Sequence, residues 1–187
     1  AFRRRYPEVT LAVTMGNSAE VMERLVDYRA DIGVLANAPE DQRFRTVVLR
    51  DDPLVAVVPA GHPFATADAV PFQRLMGESL VLREVGSTTR RLVEDEYRRR
   101  GEQLPAVIAV EGRESVREAV AAGIGIGFVS EAEFGFDARL AMVRIADCDL
   151  RMREYMVALE ARLRTRAVAA FWAEAETPDG NSPDEAG

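Results

Sequence analysis

The chain has 187 residues, of which 48% are hydrophobic and 29% charged, a balance typical of a globular protein with a sizeable core. The formal net charge of -7 excludes a broad electrostatic attraction of this chain alone to nucleic acid. The single cysteine excludes an internal disulfide framework, fits a reducing cytoplasm, and is accompanied by no apolar run long enough to span a membrane.

Apolar runs and helical spacing alternate along the chain. The first half predicts the end of a helix before Pro7, strands at residues 9–13, 31–35, 54–58 and 79–82, and helices at residues 19–28 and 71–76. The second half predicts helices at residues 87–100, 114–122 and 166–176, strands at residues 106–111, 123–130 and 155–159, and a disordered tail at residues 177–187. This alternation indicates an α/β fold with mainly parallel sheets.

The stretch LREVGSTTRR places three hydroxyl side chains and two arginines at the start of a predicted helix. Ser87 or Thr88 is the expected N-cap, and an arginine then occupies the position of the glutamate in a capping box. Arginine is unfavourable there because the helix N-terminus already carries a partial positive charge. An anion bound by Ser87, Thr88, Thr89 and Arg90 resolves this conflict, and a plain serine cap with solvated arginines is the alternative.

Two other turns carry polar groups before predicted helices. In GNSAEV, Asn17 or Ser18 is expected to cap the helix, which suffices structurally and leaves a ligand role open. In EGRESVREAV, Ser115 followed by Glu118 has the capping-box pattern. Arg113 takes no part in that pattern and is therefore a candidate to reach a cleft.

The glycine-rich run GIGIGFVSEAEFG does not have the order of a dinucleotide-binding motif. Such a motif follows a strand and opens a helix, whereas Gly123, Gly125 and Gly127 close a helix and open a strand. We expect these glycines to allow a left-handed helix exit and close packing of helix on sheet. Ser130 and Glu131 follow at the end of that strand, where open α/β sheets place ligand-binding groups.

Few residues are suited to catalysis or metal binding. The only histidine, His62, lies in a GHP turn, where a structural role is expected. Cys148 stands between Asp147 and Asp149, whose charges disfavour a thiolate, and no G-x-S-x-G motif is present. The sequence therefore predicts binding without enzymatic activity, with no catalytic residue, no metal and no cofactor.

Six motifs follow one another over about residues 1–176: RRRYPEV, GNSAEV, RADIGVL, VVPAGHPFA, LREVGSTTRR and REAVAAGIGIGFVSEAEFG. This order resembles the effector-binding domain of LysR-type transcriptional regulators. HP-x-A and AAG-x-GI are signals of the whole family. GNSAEV, GSTTRR and VSEAEFG are most similar to the subgroup associated with aminoethylphosphonate catabolism.

The resemblance implies a fold similar to type II periplasmic binding proteins: two α/β subdomains, two crossing strands and a central effector cleft. The crossings correspond to residues 54–59 and 155–159. Residues 1–58 and 159–176 are then expected to form subdomain I, and residues 59–158 subdomain II. The family's N-terminal winged helix-turn-helix and the first strand of subdomain I have no counterpart in this sequence. Without the winged helix-turn-helix we expect this chain not to bind operator DNA. Without the first strand we expect it to fold less stably, or to bind its effector more weakly, than a complete effector-binding domain.

The resemblance also implies the function and its residues. The family's effector-binding positions correspond to Asn17, Ser18, Ser87, Thr88, Thr89, Arg90, Arg113, Ser115 and Ser130, to which we add Glu131 or Glu111 as a partner for an amine. The implied function is an inducer-sensing domain for a small anionic or zwitterionic metabolite, plausibly 2-aminoethylphosphonate. A cytoplasmic homodimer that binds neither DNA directly nor a membrane is expected. A solute-binding protein of a transporter shares the fold and is the first alternative, and a small α/β enzyme is the second.

Overall fold

The structure is a computed structural model that describes residues 2–37 and 39–176. Within these ranges the helices are α1 (Phe2–Arg5), α2 (Ser18–Val26), α3 (Phe72–Leu75), α4 (Thr88–Arg99), α5 (Arg113–Ala121) and α6 (Arg166–Glu176). The strands are β1 (Gly33–Ala36), β2 (Phe44–Pro59), β3 (Ala69–Val70), β4 (Val81–Arg83), β5 (Ile108–Val110), β6 (Gly127–Ser130), β7 (Leu140–Ile145) and β8 (Arg151–Leu159). The tail predicted to be disordered, residues 177–187, lies outside the described residues.

Strand β2 connects the two halves of the molecule. Its first part, from Phe44 to Pro53, pairs with β8, and its second part, from Leu54 to Pro59, pairs with β6 and β7. Strand β8 also pairs with β1, so that the sheet runs β1-β8-β2-β7-β3, with β6 beside β2. Both predicted crossings are therefore present, and both strands begin earlier than predicted because charged residues interrupt their apolar pattern.

The prediction of mainly parallel sheets is wrong for the described strands. Strand β8 runs antiparallel to β1 and β2, and β2 runs antiparallel to β6 and β7. Parallel pairing is found for β3 with β7, for β4 with β5, and at the bridge between Leu80 and Ile126. A crossing strand leads directly from one half of the molecule into the other, without a helix that returns the chain to the same sheet. The alternation of helices and strands therefore does not reveal whether such a strand is parallel or antiparallel to its neighbours. The sequence prediction also omitted β3 and β7.

Residues 9–13, predicted as a strand, form no strand in the structure. None of the described strands pairs with them, and Leu11, Val13 and Met15 are 43%, 87% and 80% exposed. An extended segment needs a neighbouring strand to pair its backbone donors and acceptors. The alternating pattern of residues 9–13 thus indicated strand propensity. Whether a strand forms also depends on an adjacent strand with which it can pair. The expected effect of a missing first strand stays a prediction.

Both faces of β2 are buried in its second part. Leu54, Ala56 and Val58 belong to a hydrophobic cluster that includes residues of α3 and α4, and Val55 and Val57 belong to a cluster that includes residues of α5. All five are at most 3% exposed. Successive side chains of a strand point to opposite faces, so burial on both sides explains the uninterrupted apolar sequence.

Strand β8 has the same two-sided burial in the other half. Val157 and Leu159 pack in a cluster with residues of α2 and β1, while Met156 and Ala158 pack with Trp172 of α6. Helix α6 therefore covers the sheet on the face opposite to α2, and its predicted range of residues 166–176 is confirmed.

The glycine run after α5 has the structural role that we expected. Gly123 has a φ of +75°, in the left-handed region that lets the chain leave the helix. A Cβ on Gly125 would lie 2.3 Å from the carbonyl oxygen of Ser79, and one on Gly127 would lie 2.5 Å from Cγ1 of Val116. The run thus permits close packing instead of binding a nucleotide.

Candidate functional site

Three helices, α2, α4 and α5, begin around one cavity of about 500 Å³, which we call the main cavity. Backbone N–H groups at a helix start are unpaired within the helix and carry a partial positive charge, which favours an anionic group. The lining residues are Met15, Gly16, Asn17, Ser18, Glu20, Val34, Leu35, Ala36, Arg83, Glu84, Ser87, Thr88, Thr89, Glu111, Gly112, Arg113, Glu114, Glu133, Met152 and Glu154.

Asn17 caps α2, as predicted, and also reaches the segment that precedes α4. Its Oδ1 accepts a hydrogen bond from the N–H of Glu20 at 3.1 Å, and its Nδ2 donates to the carbonyl oxygen of Val85 at 3.5 Å. Gly86 allows this approach, because a Cβ there would lie only 3.0 Å from Oδ1 of Asn17, and its φ is +96°. The two turns that the sequence analysis singled out therefore touch each other.

A second contact between these turns is made by hydroxyl groups. Thr88 Oγ1 donates to the carbonyl oxygen of Ala36 at 3.2 Å and lies 3.1 Å from Ser18 Oγ. Ser18 Oγ in turn accepts a hydrogen bond from the N–H of Ala36 at 3.3 Å. This set, which we call the Thr88–Ser18 bridge, joins the start of α4 to the start of α2 and the end of β1.

Ser87 lies at the N-cap of α4, but its side chain makes no capping hydrogen bond. The residue is only 4% exposed and lines the main cavity, and none of the described residues supplies a partner for its hydroxyl. The hydroxyl of Thr89, by contrast, lies 3.6 Å from Sδ of Met152. Ser87 is therefore the hydroxyl of the GSTT turn that is available to a ligand.

The sequence hypothesis assigned a ligand as the anionic partner of Arg90, and the structure supplies a protein carboxylate instead. Arg90 Nε donates to Glu94 Oε1 at 2.6 Å, and Nη1 donates to the carbonyl oxygen of Arg83 at 3.2 Å. Arg90 does not line the main cavity. The spacing of Arg90 and Glu94 by four residues was the signal that could have revealed this ion pair.

The start of α5 differs from the sequence prediction. The helix begins at Arg113 with Gly112 as N-cap, so Ser115 is the third helical residue, is exposed, and does not line the main cavity. The predicted capping by Ser115 is therefore wrong, because the helix begins three residues before the position that such capping requires. Arg113 does line the cavity and is paired with Glu114 at 3.0 Å and with Glu133.

The end of β6 also lies outside the lining of the main cavity. Ser130 is fully buried, and its hydroxyl finds no hydrogen-bond partner among the residues that the structure describes. Glu131 forms an ion pair with Arg144 at 2.6 Å. The structure thus brings Asn17, Ser18, Ser87, Thr88, Thr89 and Arg113 together around the cavity and leaves Arg90, Ser115, Ser130 and Glu131 outside its lining.

Several cavity residues were absent from the predicted set. Met152 and Glu154 come from β8, and Glu133 comes from the 3-10 turn after β6. No local motif marks Met152 and Glu154, because only the crossing of β8 and the packing of the two halves bring them to the helix starts. Glu133 lies within the VSEAEFG motif, where Ser130 and Glu131 were chosen instead. Glu84 directly follows β4, and that position at a strand end could have suggested it.

Glu84 fixes the loop between β4 and α4 to the start of α5. It is paired with Arg83 at 2.8 Å and accepts a hydrogen bond from the N–H of Gly112 at 3.2 Å. Burial alone raises its pKa, but the hydrogen bonds and the charge of Arg83 together lower the pKa to about 2, from the ordinary 4.5. The carboxylate therefore stabilises the fold in its ionised form.

The Glu84→Gln variant is expected to lose less stability in acid than the parent chain. Because the folded-state pKa is depressed, the contribution of Glu84 is present above about pH 4.5 and disappears as the pH falls towards 2. Urea unfolding at several pH values in that window measures the difference. The matched control is Glu102→Gln, at an exposed position after α4. Parallel pH profiles for the parent and Glu84→Gln would contradict the assignment.

Within the described residues no group of three or more histidine, cysteine, aspartate or glutamate side chains is placed to hold a metal ion. His62 Nδ1 accepts the N–H of Phe64 at 3.2 Å within its turn. Burial, reinforced by Glu96 and Asp147, raises the pKa of the Cys148 thiol to about 11. None of the described helices combines the length and apolar character needed to cross a membrane.

Comparison with known proteins identifies relatives of the chain. The family described as LysR substrate binding domain matches residues 1–177. The HTH-type transcriptional regulator CbbR of Rhizobium meliloti is 34% identical over 180 residues, which cover 91% of this chain and 56% of CbbR. The HTH-type transcriptional activator CmpR of Synechocystis sp. is 26% identical over 83% of this chain and 52% of CmpR. The chain thus spans about half the length of the curated relatives that it matches.

Solved structures agree with the fold. The regulatory domain of CcmR from Synechocystis PCC6803, in complex with 2-PG, has a TM-score of 0.84 at 22% identity and covers 97% of this chain and 88% of that chain. The effector binding domain of QuiR in complex with shikimate has a TM-score of 0.80 at 18% identity, covering 93% and 84%. These likenesses confirm the predicted α/β fold of the type II periplasmic-binding-protein kind.

Proposed function

The chain belongs to the LysR substrate binding domain family, and on that premise we propose that it is the ligand-sensing domain of a bacterial transcriptional regulator. Its relatives are transcriptional regulators and not enzymes. The observation that carries the proposal is the convergence of three helix starts on the main cavity, with the Ser87 hydroxyl unpaired at one of them. Such a cavity holds the anionic group of a small molecule.

The charges of the main cavity favour a ligand that also carries a positive group. Two arginines and six glutamates line it, so the formal charge is +2 − 6 = -4. The other five glutamates have ion-pair partners, whereas Glu111 has none among the described residues. A zwitterion with its anion at the helix starts and its amine at Glu111 therefore satisfies both the backbone N–H groups and the excess of carboxylates. Glu131, the other carboxylate considered for the amine, is already paired with Arg144.

Within this class we propose 2-aminoethylphosphonate or a related phosphonate as the effector, on the motif resemblance of GNSAEV, GSTTRR and VSEAEFG. The molecule carries a phosphonate and an amine separated by a short chain, which fits one anionic and one cationic contact. The ligands bound in the two structural relatives, 2-PG and shikimate, supply the competing candidates.

Calorimetry with the purified chain tests the proposal. We expect 2-aminoethylphosphonate to bind more tightly than ethylphosphonate, which lacks the amine, and than ethanolamine, which lacks the anion. The variant Glu111→Gln is expected to weaken binding of 2-aminoethylphosphonate by about fivefold while leaving ethylphosphonate unchanged, because it removes one charge contact. Glu102→Gln is the matched control.

Two outcomes would count against this function. If 2-PG or shikimate binds and the phosphonates do not, the ligand-sensing role stands, and the proposal that the effector is a phosphonate is wrong. If no small anion or zwitterion raises the melting temperature of the folded chain, the sensing role itself fails.

The wider roles follow from family membership as proposals. The relatives are named as HTH-type regulators, and we propose that DNA is bound only by such a region and that the chain forms homodimers in the cytoplasm without a membrane partner. We propose two subdomains close to the predicted division into residues 1–58 with 159–176 and residues 59–158. The hydrophobic clusters move both boundaries a few residues earlier, because residues 54–58 pack with residues 64–143 and residues 156–159 pack with residues 25–44 and Trp172. The first alternative, a transporter's solute-binding protein, shares the fold but is not favoured, because a relative 34% identical over 91% of this chain is named as an HTH-type transcriptional regulator.

A further inference from the structure

Glu154 of β8 lines the main cavity and is held from outside it by Arg50 of β2. The two residues lie directly opposite each other where the two strands cross. Arg50 Nε and Nη2 both donate to Glu154 Oε2, at 3.1 Å and 2.8 Å. The other carboxylate oxygen of Glu154, Oε1, has no hydrogen-bond partner among the described residues. The wall of the main cavity therefore offers this oxygen as an acceptor.

Three of the cavity glutamates, Glu84, Glu133 and Glu154, have side chains that are at most 21% exposed. Both oxygens of Glu84 are used, because Arg83 donates to each of them and the N–H of Gly112 also donates to Oε2. Glu133 resembles Glu154, since one of its oxygens is paired and the other has no partner among the described residues. The position of each residue in the cavity decides between the two.

Glu154 lies beside the Thr88–Ser18 bridge. Its direct neighbour in the sheet is Ala36, whose carbonyl oxygen accepts the hydrogen bond from Thr88 and whose N–H donates to Ser18. Met152, two residues earlier and on the same face of β8, contacts the first turn of α4. Glu154 is thus close to the starts of α2 and α4, which hold the anion in the proposed function. A ligand group that reaches Glu154 must be attached near that anion.

The charge of Glu154 is balanced, so its free oxygen suits a neutral donor. Arg50 compensates the carboxylate in an ion pair of 2.8 Å, whereas Glu111 has no such partner among the described residues and takes the amine in the proposed function. A hydroxyl group donates one hydrogen bond without adding a charge. Hydrogen bonds to an ionised acceptor are stronger than those between neutral groups, so this contact would contribute to selectivity.

We propose that Glu154 makes the domain selective for an effector with a hydroxyl group on the carbon that bears its anionic group, and that Arg50 positions Glu154 for this contact. The inference rests on the proposed function, because the anion must lie at the helix starts. The hydroxyl donates to Oε1 of Glu154, while Arg50 keeps Oε2. A carbonyl group in place of the hydroxyl has no proton to donate and would place its oxygen against the carboxylate, so Glu154 also rejects a keto analogue.

Calorimetry with three phosphonates that differ only at this carbon tests the proposal. We expect 1-hydroxyethylphosphonate to bind the parent chain about fivefold more tightly than ethylphosphonate, which is the size of one net hydrogen bond, and acetylphosphonate to bind more weakly than both. In Glu154→Gln the side-chain oxygen stays with Arg50, so the amide nitrogen takes the place of Oε1 and presents a donor. Acetylphosphonate is then expected to bind this variant more tightly than ethylphosphonate does.

Arg50→Gln tests the positioning role. We expect it to reduce the preference for the hydroxyl to less than twofold, because the carboxylate of Glu154 is no longer held in one orientation. A purely structural loss would weaken all three phosphonates equally and leave their ratios unchanged. The matched control is Arg45→Gln on the same strand, where the arginine pairs with Glu176 outside the main cavity, and this variant should keep the fivefold preference.

Three results would overturn the proposal. Equal affinity of the parent chain for 1-hydroxyethylphosphonate and ethylphosphonate would show that no hydroxyl is selected, while the sensing role would stand. A gain of acetylphosphonate binding in Glu133→Gln instead of Glu154→Gln would assign the selection to Glu133. If none of the three phosphonates binds, the same substituents are compared on propionate, lactate and pyruvate, and failure of both series would overturn the proposed function together with this inference.

Discussion

Replacing Gly125 with alanine is expected to lower the free energy of unfolding by about 3 kcal/mol, at the upper end of the range for overpacked interiors. The added Cβ would lie 2.3 Å from the carbonyl oxygen of Ser79 and 2.9 Å from its carbonyl carbon. These atoms are backbone and cannot rotate away. The N–H of Ile126 donates to the same carbonyl oxygen at 2.8 Å, so relief of the clash would break a hydrogen bond at the bridge between Leu80 and Ile126, just before β4 and β6.

Urea unfolding of Gly125→Ala and Gly61→Ala measures this effect against a matched control. At Gly61 the added Cβ would have no neighbour within 4 Å, so its stability should stay within about 0.5 kcal/mol of the parent. If Gly125→Ala were as stable as Gly61→Ala, the close approach of the glycine run to Ser79 would not exist in solution.

Replacing Gly86 with alanine is expected to cost about 2 kcal/mol of stability and to weaken effector binding at least tenfold, because it combines backbone strain with a clash between the two turns. Its φ of +96° is unfavourable for any residue with a Cβ. The new Cβ would also lie 3.0 Å from Oδ1 of Asn17 and 3.1 Å from Cβ of Ala19. The cap of α2 and the start of α4 would move apart, which separates the helix starts that face the main cavity.

Gly101→Ala reproduces only the backbone strain, so its comparison with Gly86→Ala isolates the effect of the clash. Gly101 has a φ of +75° but no atom within 4 Å of an added Cβ, so its substitution strains the backbone without disturbing the cleft. We expect both variants to lose stability and only Gly86→Ala to shift the amide signals of Asn17 and Glu20 and to lose affinity for 2-aminoethylphosphonate. Unchanged signals at Asn17 in Gly86→Ala would contradict the contact between the turns.

The arginines of LREVGSTTRR show how far local sequence reasoning reaches. The pattern correctly indicated a conflict of charge at a helix start, and spacing by four residues would have identified Glu94 as the partner of Arg90. Arg91 is exposed and forms no ion pair with a described residue, which agrees with the alternative of a solvated arginine. The side chain of this turn that stays open to a ligand is therefore Ser87.

The caps show the same limit. Asn17 was predictable because an N-cap is decided within four residues of sequence, and its hydrogen bond to Glu20 is present. Ser115 was not, although it also had a capping motif, because α5 begins three residues earlier, with Gly112 as N-cap, whose N–H donates to the carboxylate of Glu84 just after β4. A long-range hydrogen bond outweighed the local pattern.

The α/β class, most helix positions, the apolar parts of the two crossing strands and the family could be read from periodicity, N-caps and the order of motifs along the chain. Strand direction, the failure of residues 9–13 to form a strand and the membership of the main cavity depended on the tertiary structure. These depend on which segments become neighbours, and contacts such as that of Glu84 with Gly112 or Thr88 with Ala36 join residues far apart in sequence. Backbone hydrogen bonds between strands and ion pairs between side chains form only when those segments are next to each other.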